Sequence, residues 1–151
     1  MSDPDDIRGW QRLGSEVTTS GRLQEGDVAR LKAVGVRHVV NLALADHAEA
    51  LADEAALLAA AGIAYTHIPV PFDAPGEDHY AAFVATLDQP GPVHVHCIMN
   101  WRVSAFFYRW HRDTMGMPEP EARATMQRQW SPEDNDHPAA KAWAEFIAFR
   151  P

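Results

Sequence analysis

The amino-acid sequence predicts an α/β protein with a mainly parallel central sheet flanked by helices. Short runs of β-branched and apolar residues alternate with segments whose apolar residues recur at helical spacing, and Gly or Pro separates them. Such alternation is typical of parallel sheets, because the chain crosses over through a helix before it adds another parallel strand. Ligands of such sheets bind beyond the carboxyl ends of the strands, so we expect a functional site there.

The predicted elements follow one another from residue 23 onward. Strands are expected at 36–42, 63–68 and 93–96, where the apolar runs are too short for helices. A helix is expected to begin at Asp46 and to end before Gly62. Asp46 and Glu49 have the spacing of a capping box at the start of a helix. The other helices are expected at 23–34, 77–87, 103–115 and 119–130, followed by an amphipathic segment with Trp143, Phe146 and Ile147. A chain of 151 residues suits a single domain, residues 1–151.

The net charge argues against two classes of partner. With 13 Lys and Arg against 21 Asp and Glu, the charge is -8, so no nucleic-acid or anionic-membrane surface is expected. The start of the chain is acidic and unlike a signal peptide, and the longest apolar run is too short to span a bilayer. The single cysteine allows no internal disulfide and no CxxC pair, which favours a cytoplasmic protein.

Two histidines raise the question of a metal site. His94 and His96 alternate onto one face of a strand, and His67 or His79 could add a ligand. Histidines two residues apart on a buried strand are more often hydrogen-bonded core residues. We therefore expect no metal and no cofactor.

The segment 93–104 carries the strongest chemical signal. Its pattern predicts a strand, a tight loop and a helix start, with Cys97 at one end of the loop and Arg102 at the other. Backbone N–H groups at a helix start, the helix dipole and a guanidinium all favour a bound anion and a cysteine thiolate. The alternative is a small cysteine that is merely buried in the core.

The sequence resembles the bacterial branch of the dual-specificity-type protein tyrosine phosphatases, a cysteine-dependent family. The resemblance covers most of the chain, from about residue 17 to 109, and the Trp130-Ser131-Pro132 segment with Trp143 resembles the family's closing segment. It rests on Thr19-Ser20-Gly21-Arg22, Val39-Val40-Asn41-Leu42, Tyr65-Thr66-His67-Ile68-Pro69-Val70, and His96-Cys97 with Arg102 and Ser104. The family's fold is the one that the alternating pattern predicts.

The resemblance implies hydrolysis of a phosphomonoester, on a phosphorylated protein or a small molecule, through a phosphocysteine. Cys97 would attack phosphorus, Arg102 would hold the phosphoryl oxygens, and Ser104 would assist departure of the sulfur. Asp73 would protonate the leaving oxygen, with Asp78 as second choice; Asp73 also suits an ordinary turn. The anion would bind the loop formed by Ile98, Met99, Asn100, Trp101 and Arg102.

The loop departs from the family in its length. Four residues separate Cys97 from Arg102, whereas the family has five, so the arginine comes one position early. If the following helix starts at the same place as in the family, this shift rotates the arginine side chain by about 100° around the helix axis. A binding module without turnover, a pseudophosphatase, is therefore one alternative. Another is a rhodanese-like sulfurtransferase, whose loop has the shorter length. Asn100 is expected to take a left-handed backbone in place of the family's glycine.

Two features of the loop bear on the substrate. Trp101 could form a stacking platform for the substrate or a hydrophobic plug, and the sequence does not distinguish these. The residues between Cys97 and Arg102 carry no positive charge, which disfavours a polyphosphorylated lipid head group.

Overall fold

The computed structural model describes residues 2–151 and contains one five-stranded sheet. The strands lie in the order β1-β2-β5-β3-β4, and only the β1–β2 pair is antiparallel. The prediction of a mainly parallel α/β sheet is thus confirmed. The strands are β1 (Gln11–Arg12), β2 (Val17–Ser20), β3 (His38–Asn41), β4 (Ala64–His67) and β5 (Val93–His96).

Helices cover both faces of the sheet. They are α1 (Asp27–Ala33), α2 (Glu54–Ala60), α3 (Glu77–Leu87), α4 (Trp101–Asp113), α5 (Glu119–Gln127) and α6 (Ala140–Ala148), with a 3₁₀ turn at Pro132–Asp134. Val39 packs with Leu31 and Leu58 on the face covered by α1 and α2, whereas Val40 packs with Phe106 on the face covered by α3 to α6. This division follows from the alternation of side chains along a strand.

The first two strands escaped prediction because β2 is buried but polar. Thr18, Thr19 and Ser20 are at most 4% exposed, so the alternation of apolar and polar residues that indicates a strand is missing. Their hydroxyls find partners inside the protein instead: Thr18 Oγ1 lies 2.8 Å from His94 Nδ1, and Ser20 Oγ lies 2.8 Å from His94 Nε2.

The predicted start of α2 at Asp46 is wrong. The helix begins at Glu54, and the residues before it form turns. Glu49, which was expected to cap the helix, instead forms an ion pair with Arg8. The first helix is also shorter than expected and begins at Asp27. No helix in residues 2–151 has the length and apolar character needed to cross a membrane.

Candidate active site

Cys97 and Arg102 line one pocket at the carboxyl end of β5. Cys97 follows the last residue of the strand and is 1% exposed, and Arg102 lies in the first turn of α4. The pocket has a volume of about 380 Å³ and is lined by Leu44, His47, Phe72, Cys97, Ile98, Met99, Trp101, Arg102 and His137. The two residues that the sequence singled out are therefore brought together despite the short loop.

Asn100 forms the turn from the loop into α4. Its φ of 66° lies in the left-handed region, as predicted, and this residue precedes the first residue of the helix. Its side-chain Nδ2 donates to the carbonyl oxygen of Gly9 at 2.8 Å and to Thr19 Oγ1 at 3.0 Å. A glycine could adopt the same backbone, but it could not make these bonds, so Asn100 also anchors the loop to β2 and the N-terminal segment.

The loop turns its N–H groups and its carbonyl groups in different directions. Within the described part of the chain, the N–H groups of residues 98–103 donate to no carbonyl or side chain. The carbonyl groups are occupied elsewhere: Ile98 O accepts the backbone N–H of Arg22 at 2.9 Å, and Trp101 O accepts Trp130 Nε1–H at 2.9 Å. Consecutive free N–H groups at a helix start form a nest for an anion.

Gly21 lets β2 approach this loop closely. A Cβ atom at Gly21 would lie 2.4 Å from the carbonyl oxygen of Ile98, a distance that forces the backbone apart. Gly21 N–H donates to Arg8 O at 2.7 Å, while its neighbour Arg22 holds Ile98 O. This contact gives a physical reason for the Ser20-Gly21-Arg22 motif, because only glycine fits where the strand end meets the loop.

Arg102 is held by one hydrogen bond and has donors to spare. Nη1 donates to the carbonyl oxygen of Val70 at 2.9 Å, and the guanidinium lies 5.6 Å from the centre of the Phe72 ring. No other hydrogen bond of Arg102's side chain occurs within residues 2–151. A guanidinium has five N–H donors, so Arg102 can still bind an oxyanion bidentately.

A buried pair of side chains supports the base of the loop. His96 Nε2 lies 2.6 Å from Glu54 Oε2, and His96 Nδ1 lies 3.2 Å from the carbonyl oxygen of Cys97. Both side chains of the pair are at most 5% exposed. Glu54 was not predicted as a site residue, because the helix expected from Asp46 placed it inside a helix rather than at its start.

His94 is a hydrogen-bonded core histidine, the role that the sequence favoured. Burial, and secondarily the nearby His96, hold the pKa of His94 well below its ordinary value. Its ring stacks on Trp10, with centroids 5.1 Å apart. Within residues 2–151, no group of three His, Cys, Asp or Glu side chains is placed to hold a metal ion.

Ser104 does not line the Cys97 pocket. Its hydroxyl donates to Trp101 O at 3.1 Å, and the residue lines a separate, much smaller cavity with Asn100 and Thr19. The backbone N–H of Ser104 closes the first turn of α4 on Asn100 O at 3.1 Å. The hydroxyl therefore lies at the loop–helix junction, behind the pocket wall.

Asp73 and Asp78 lie outside the pocket as well. Asp73 is exposed in the turn after Val70 and lines a neighbouring cavity of about 340 Å³, which shares Phe72 and His137 with the Cys97 pocket. The side chain of Asp78 is 88% exposed, and its Oδ1 accepts the backbone N–H of His79. Of the two, Asp73 is the carboxylate that borders the pocket.

Aromatic rings form one wall of the pocket. Trp101 and Trp130 are stacked with centroids 4.7 Å apart and planes 3° apart, and Phe72 lies 6.1 Å from Trp101. Trp143, which is fully buried, fixes the wall from behind by donating Nε1–H to Phe72 O at 2.6 Å. Trp101 is thus a half-buried wall residue with one ring face covered by Trp130.

Two histidines at the pocket were not predicted. His47 Nδ1 accepts the backbone N–H of Glu49 at 2.9 Å, and His137 Nδ1 accepts that of Ala139 at 3.0 Å. A ring nitrogen that accepts a hydrogen bond carries no proton, so the neutral ring of each carries it on Nε2 and can donate there. Both lie in irregular segments, where no periodic pattern indicates which side chains meet.

The sheet order and the loop after β5 are those of the dual-specificity phosphatase-like fold class. Solved structures confirm this resemblance, although no protein-family model and no curated protein matches the sequence. A DUF442 protein of Shewanella putrefaciens with a proposed phosphatase activity is 28% identical with a TM-score of 0.77, and the match covers 94% of this chain and 90% of that one.

Two more distant structures share the fold. P. aeruginosa TpbA, solved in complex with phosphotyrosine, is 22% identical with a TM-score of 0.70, over 89% of this chain and 81% of its own. The catalytic core of S. cerevisiae SIW14, a PP-IP phosphatase solved with citrate, is 11% identical with a TM-score of 0.76, over 96% and 87%. At these identities the likeness concerns the fold.

Proposed function

We propose that this protein is a cysteine-dependent phosphatase that hydrolyses a phosphomonoester, with an aryl phosphate such as phosphotyrosine as the favoured class. The observation that carries the proposal is the set of unpaired N–H groups at residues 98–103 beside Cys97 and Arg102. A tetrahedral oxyanion needs several convergent donors, and these are present at the only cysteine of the chain.

The chemistry proceeds in two displacements at phosphorus. The Cys97 thiolate attacks phosphorus, so an S–P bond forms while the bond to the leaving oxygen breaks, and Asp73 gives that oxygen its proton. Asp73 then takes a proton from water, which attacks phosphorus and breaks the S–P bond. Arg102 and the loop N–H groups bind the equatorial oxygens in both steps, because negative charge stays on them throughout.

Asp73 acts in both steps of this mechanism and Ser104 in the second, and neither side chain lines the pocket in the free protein. Asp73 must move from its exposed turn toward the pocket when substrate binds; catalytic contacts commonly tighten only in the complex. Ser104 must also change position: we propose that its hydroxyl leaves Trp101 O, turns toward Cys97 and stabilises the departing sulfur in the second step. Loss of this hydroxyl would then slow hydrolysis of the phosphocysteine rather than its formation.

The pocket walls favour an aromatic leaving group. Phe72 and Trp101 flank Arg102, and no carboxylate lines the pocket within residues 2–151. An aromatic ring that carries a phosphate can therefore stack or pack against these rings while its phosphoryl group reaches the loop. TpbA, which shares the fold, binds phosphotyrosine, which supports this choice of substrate class.

Release of inorganic phosphate from phenyl phosphate tests the proposal. Wild-type protein should release phosphate from phenyl phosphate, and the Cys97→Ser variant should not, since a hydroxyl is a far weaker nucleophile than a thiolate. Thermal melting of both proteins controls for folding. Equal release by the two proteins would exclude Cys97 as nucleophile.

A further inference from the structure

Two arginines share one carboxylate at the outer side of the loop. Arg8 binds Glu49 through both Nη atoms, at 3.1 and 2.9 Å, and Arg22 Nη1 lies 3.3 Å from Glu49 Oε2. The three side chains are between 33% and 37% exposed. The cluster therefore has two positive charges against one negative charge, in a chain whose net charge is -8.

This cluster touches the wall of the Cys97 pocket. Arg8 Nη1 lies 3.4 Å from Ile98 O and 3.7 Å from Met99 Sδ, and both of these residues line the pocket. Met99 is 44% exposed, so it forms the rim between the pocket and the arginines. A group attached to a substrate in the pocket needs to pass only this rim to meet Arg8.

Two further carboxylates lie beside the cluster but bind a different arginine. Asp6 and Asp27 line a cavity of about 130 Å³ with Arg8 and Arg22, and both carboxylates pair with Arg30, so that the charges of the three arginines and the three carboxylates balance. Glu49 is the carboxylate that faces the two arginines, and the hydrogen bond from Arg8 lowers the pKa of Glu49, which keeps it ionised. Because the pairs are exposed to water, exchange of this carboxylate for another anion costs little.

We propose that Arg8 and Arg22 form a second anion subsite, which binds a carboxylate or phosphate placed close to the phosphoryl group that occupies the Cys97 loop. Glu49 occupies this subsite in the free protein and leaves it when substrate binds. The inference rests on the proposed function, because it assigns the substrate a second anionic group. Two guanidinium forks match either anion in geometry and charge.

The test measures Kd rather than turnover, in the Cys97→Ser background. Two phosphotyrosine peptides are compared, one with Glu on both sides of the phosphotyrosine and one with Gln at those positions. A third peptide carries phosphoserine instead of Glu, which separates a preference for phosphate from one for carboxylate. The acidic peptide should bind about five-fold more tightly than the neutral one at low ionic strength, and the difference should shrink with added salt.

Substitutions of the arginines and of Glu49 should change the ratio of the two Kd values in opposite directions. Arg8→Gln and Arg22→Gln should each bring the ratio of the two Kd values close to one, whereas Glu49→Gln should raise the ratio several-fold by vacating the subsite. Arg12→Gln, which removes an exposed arginine paired with Asp3, is the matched control and should leave the ratio unchanged. A gain of affinity in Glu49→Gln cannot arise from misfolding.

The outcomes separate this inference from the proposed function. A ratio of one in the parent, an unchanged ratio in Glu49→Gln, or no binding of any peptide would each overturn the second subsite. Phenyl phosphate carries no second anionic group. Its hydrolysis by protein with native Cys97 therefore tests the proposed phosphatase activity without involving the second subsite.

Discussion

Asn100 Nδ2 donates a hydrogen bond to Thr19 Oγ1 at 3.0 Å, and this bond joins the loop after β5 to the strand beside it. With its left-handed backbone, Asn100 lets α4 begin at Trp101, so that Arg102 lies in the first turn and lines the pocket with Cys97. Four residues between Cys97 and Arg102 are therefore enough to bring both side chains to the same pocket.

Insertion of Gly between Asn100 and Trp101 should lower the rate of aryl phosphate hydrolysis. The insertion restores the family's spacing but moves Arg102 out of a position fitted to Val70 O and the pocket. Misplacement of a catalytic group by about 1 Å can cost on the order of 100-fold, so we expect a fall of at least about ten-fold. The measurement is kcat/KM for phenyl phosphate, together with thermal stability.

A matched insertion controls for the added residue. Gly14 is exposed in the turn between β1 and β2 and has open space around it, so a Gly inserted after it should leave the rate unchanged. A rise in rate in the loop variant would show that the short loop is a degenerate form of the family's geometry.

Phosphate should bind to the loop through residues 98–102, with Arg102 as the one charged contact. Removing a charge-assisted bidentate partner costs about 1.5–3 kcal/mol, so Arg102→Gln should weaken phosphate binding by about 10-fold or more. Calorimetric titration measures the affinity, and a crystal grown in phosphate locates the ion. An open pocket without phosphate at high phosphate concentration would count against every anion-binding interpretation of this loop.

Asp73→Asn should slow hydrolysis of alkyl phosphates more than hydrolysis of p-nitrophenyl phosphate. A poor leaving group needs a proton from Asp73, whereas p-nitrophenolate leaves without one. Asp78→Asn is the control, because the side chain of Asp78 is 88% exposed and lines none of the cavities at the site. Equal slowing of both substrates by Asp73→Asn would remove this residue from the mechanism.

Burial of His94 should make the protein less stable in acid. Because burial lowers its pKa in the folded state, the unfolded state alone takes up this proton below pH of about 6.5, and the free energy of unfolding falls as pH falls. One such group contributes a slope of at most about 1.4 kcal/mol per pH unit. Buried His38 and His111 act in the same direction.

Urea unfolding at several pH values measures this slope. His94→Gln keeps a donor and an acceptor for Thr18 and Ser20 but does not titrate, so its unfolding free energy should fall less steeply between pH 7 and pH 5. Between pH 9 and pH 8, where His94 is almost entirely neutral in both states, the unfolding free energies of the two proteins should run parallel. Parallel curves in acid as well would contradict the contribution of His94.

The sequence predicted the segment from β5 to α4 well because strong local signals agree there. Val93–His96 is a short β-branched strand, Asn100 favours the left-handed turn, and the helix follows within two residues of its expected start. β2 could not be predicted, since its buried side chains are polar and are satisfied by His94, a residue 74 to 76 positions away.

The rest of the site depends on contacts between distant segments. His137 and Phe72 reach the pocket from irregular segments, and Glu54 reaches His96 from the start of a helix whose first residue was misplaced. The expected position of Asp73 past β4 was correct, but its exposure depends on the turn that follows. The positions of these side chains depend on how distant segments pack together, and local residue patterns do not indicate that packing.

Transfer of a phosphoryl group onto Cys97 is the central claim, and a quench experiment tests it most directly. Excess protein is mixed with an aryl phosphate labelled in its phosphoryl group, and label on the peptide that contains Cys97 is measured at short times. We predict labelled Cys97 before inorganic phosphate appears, and neither label nor release with Cys97→Ser. Phosphate binding without label would instead indicate a pseudophosphatase, and thiosulfate-to-cyanide transfer that depends on Cys97 and exceeds phosphate release would indicate a sulfurtransferase; either result would contradict the phosphatase.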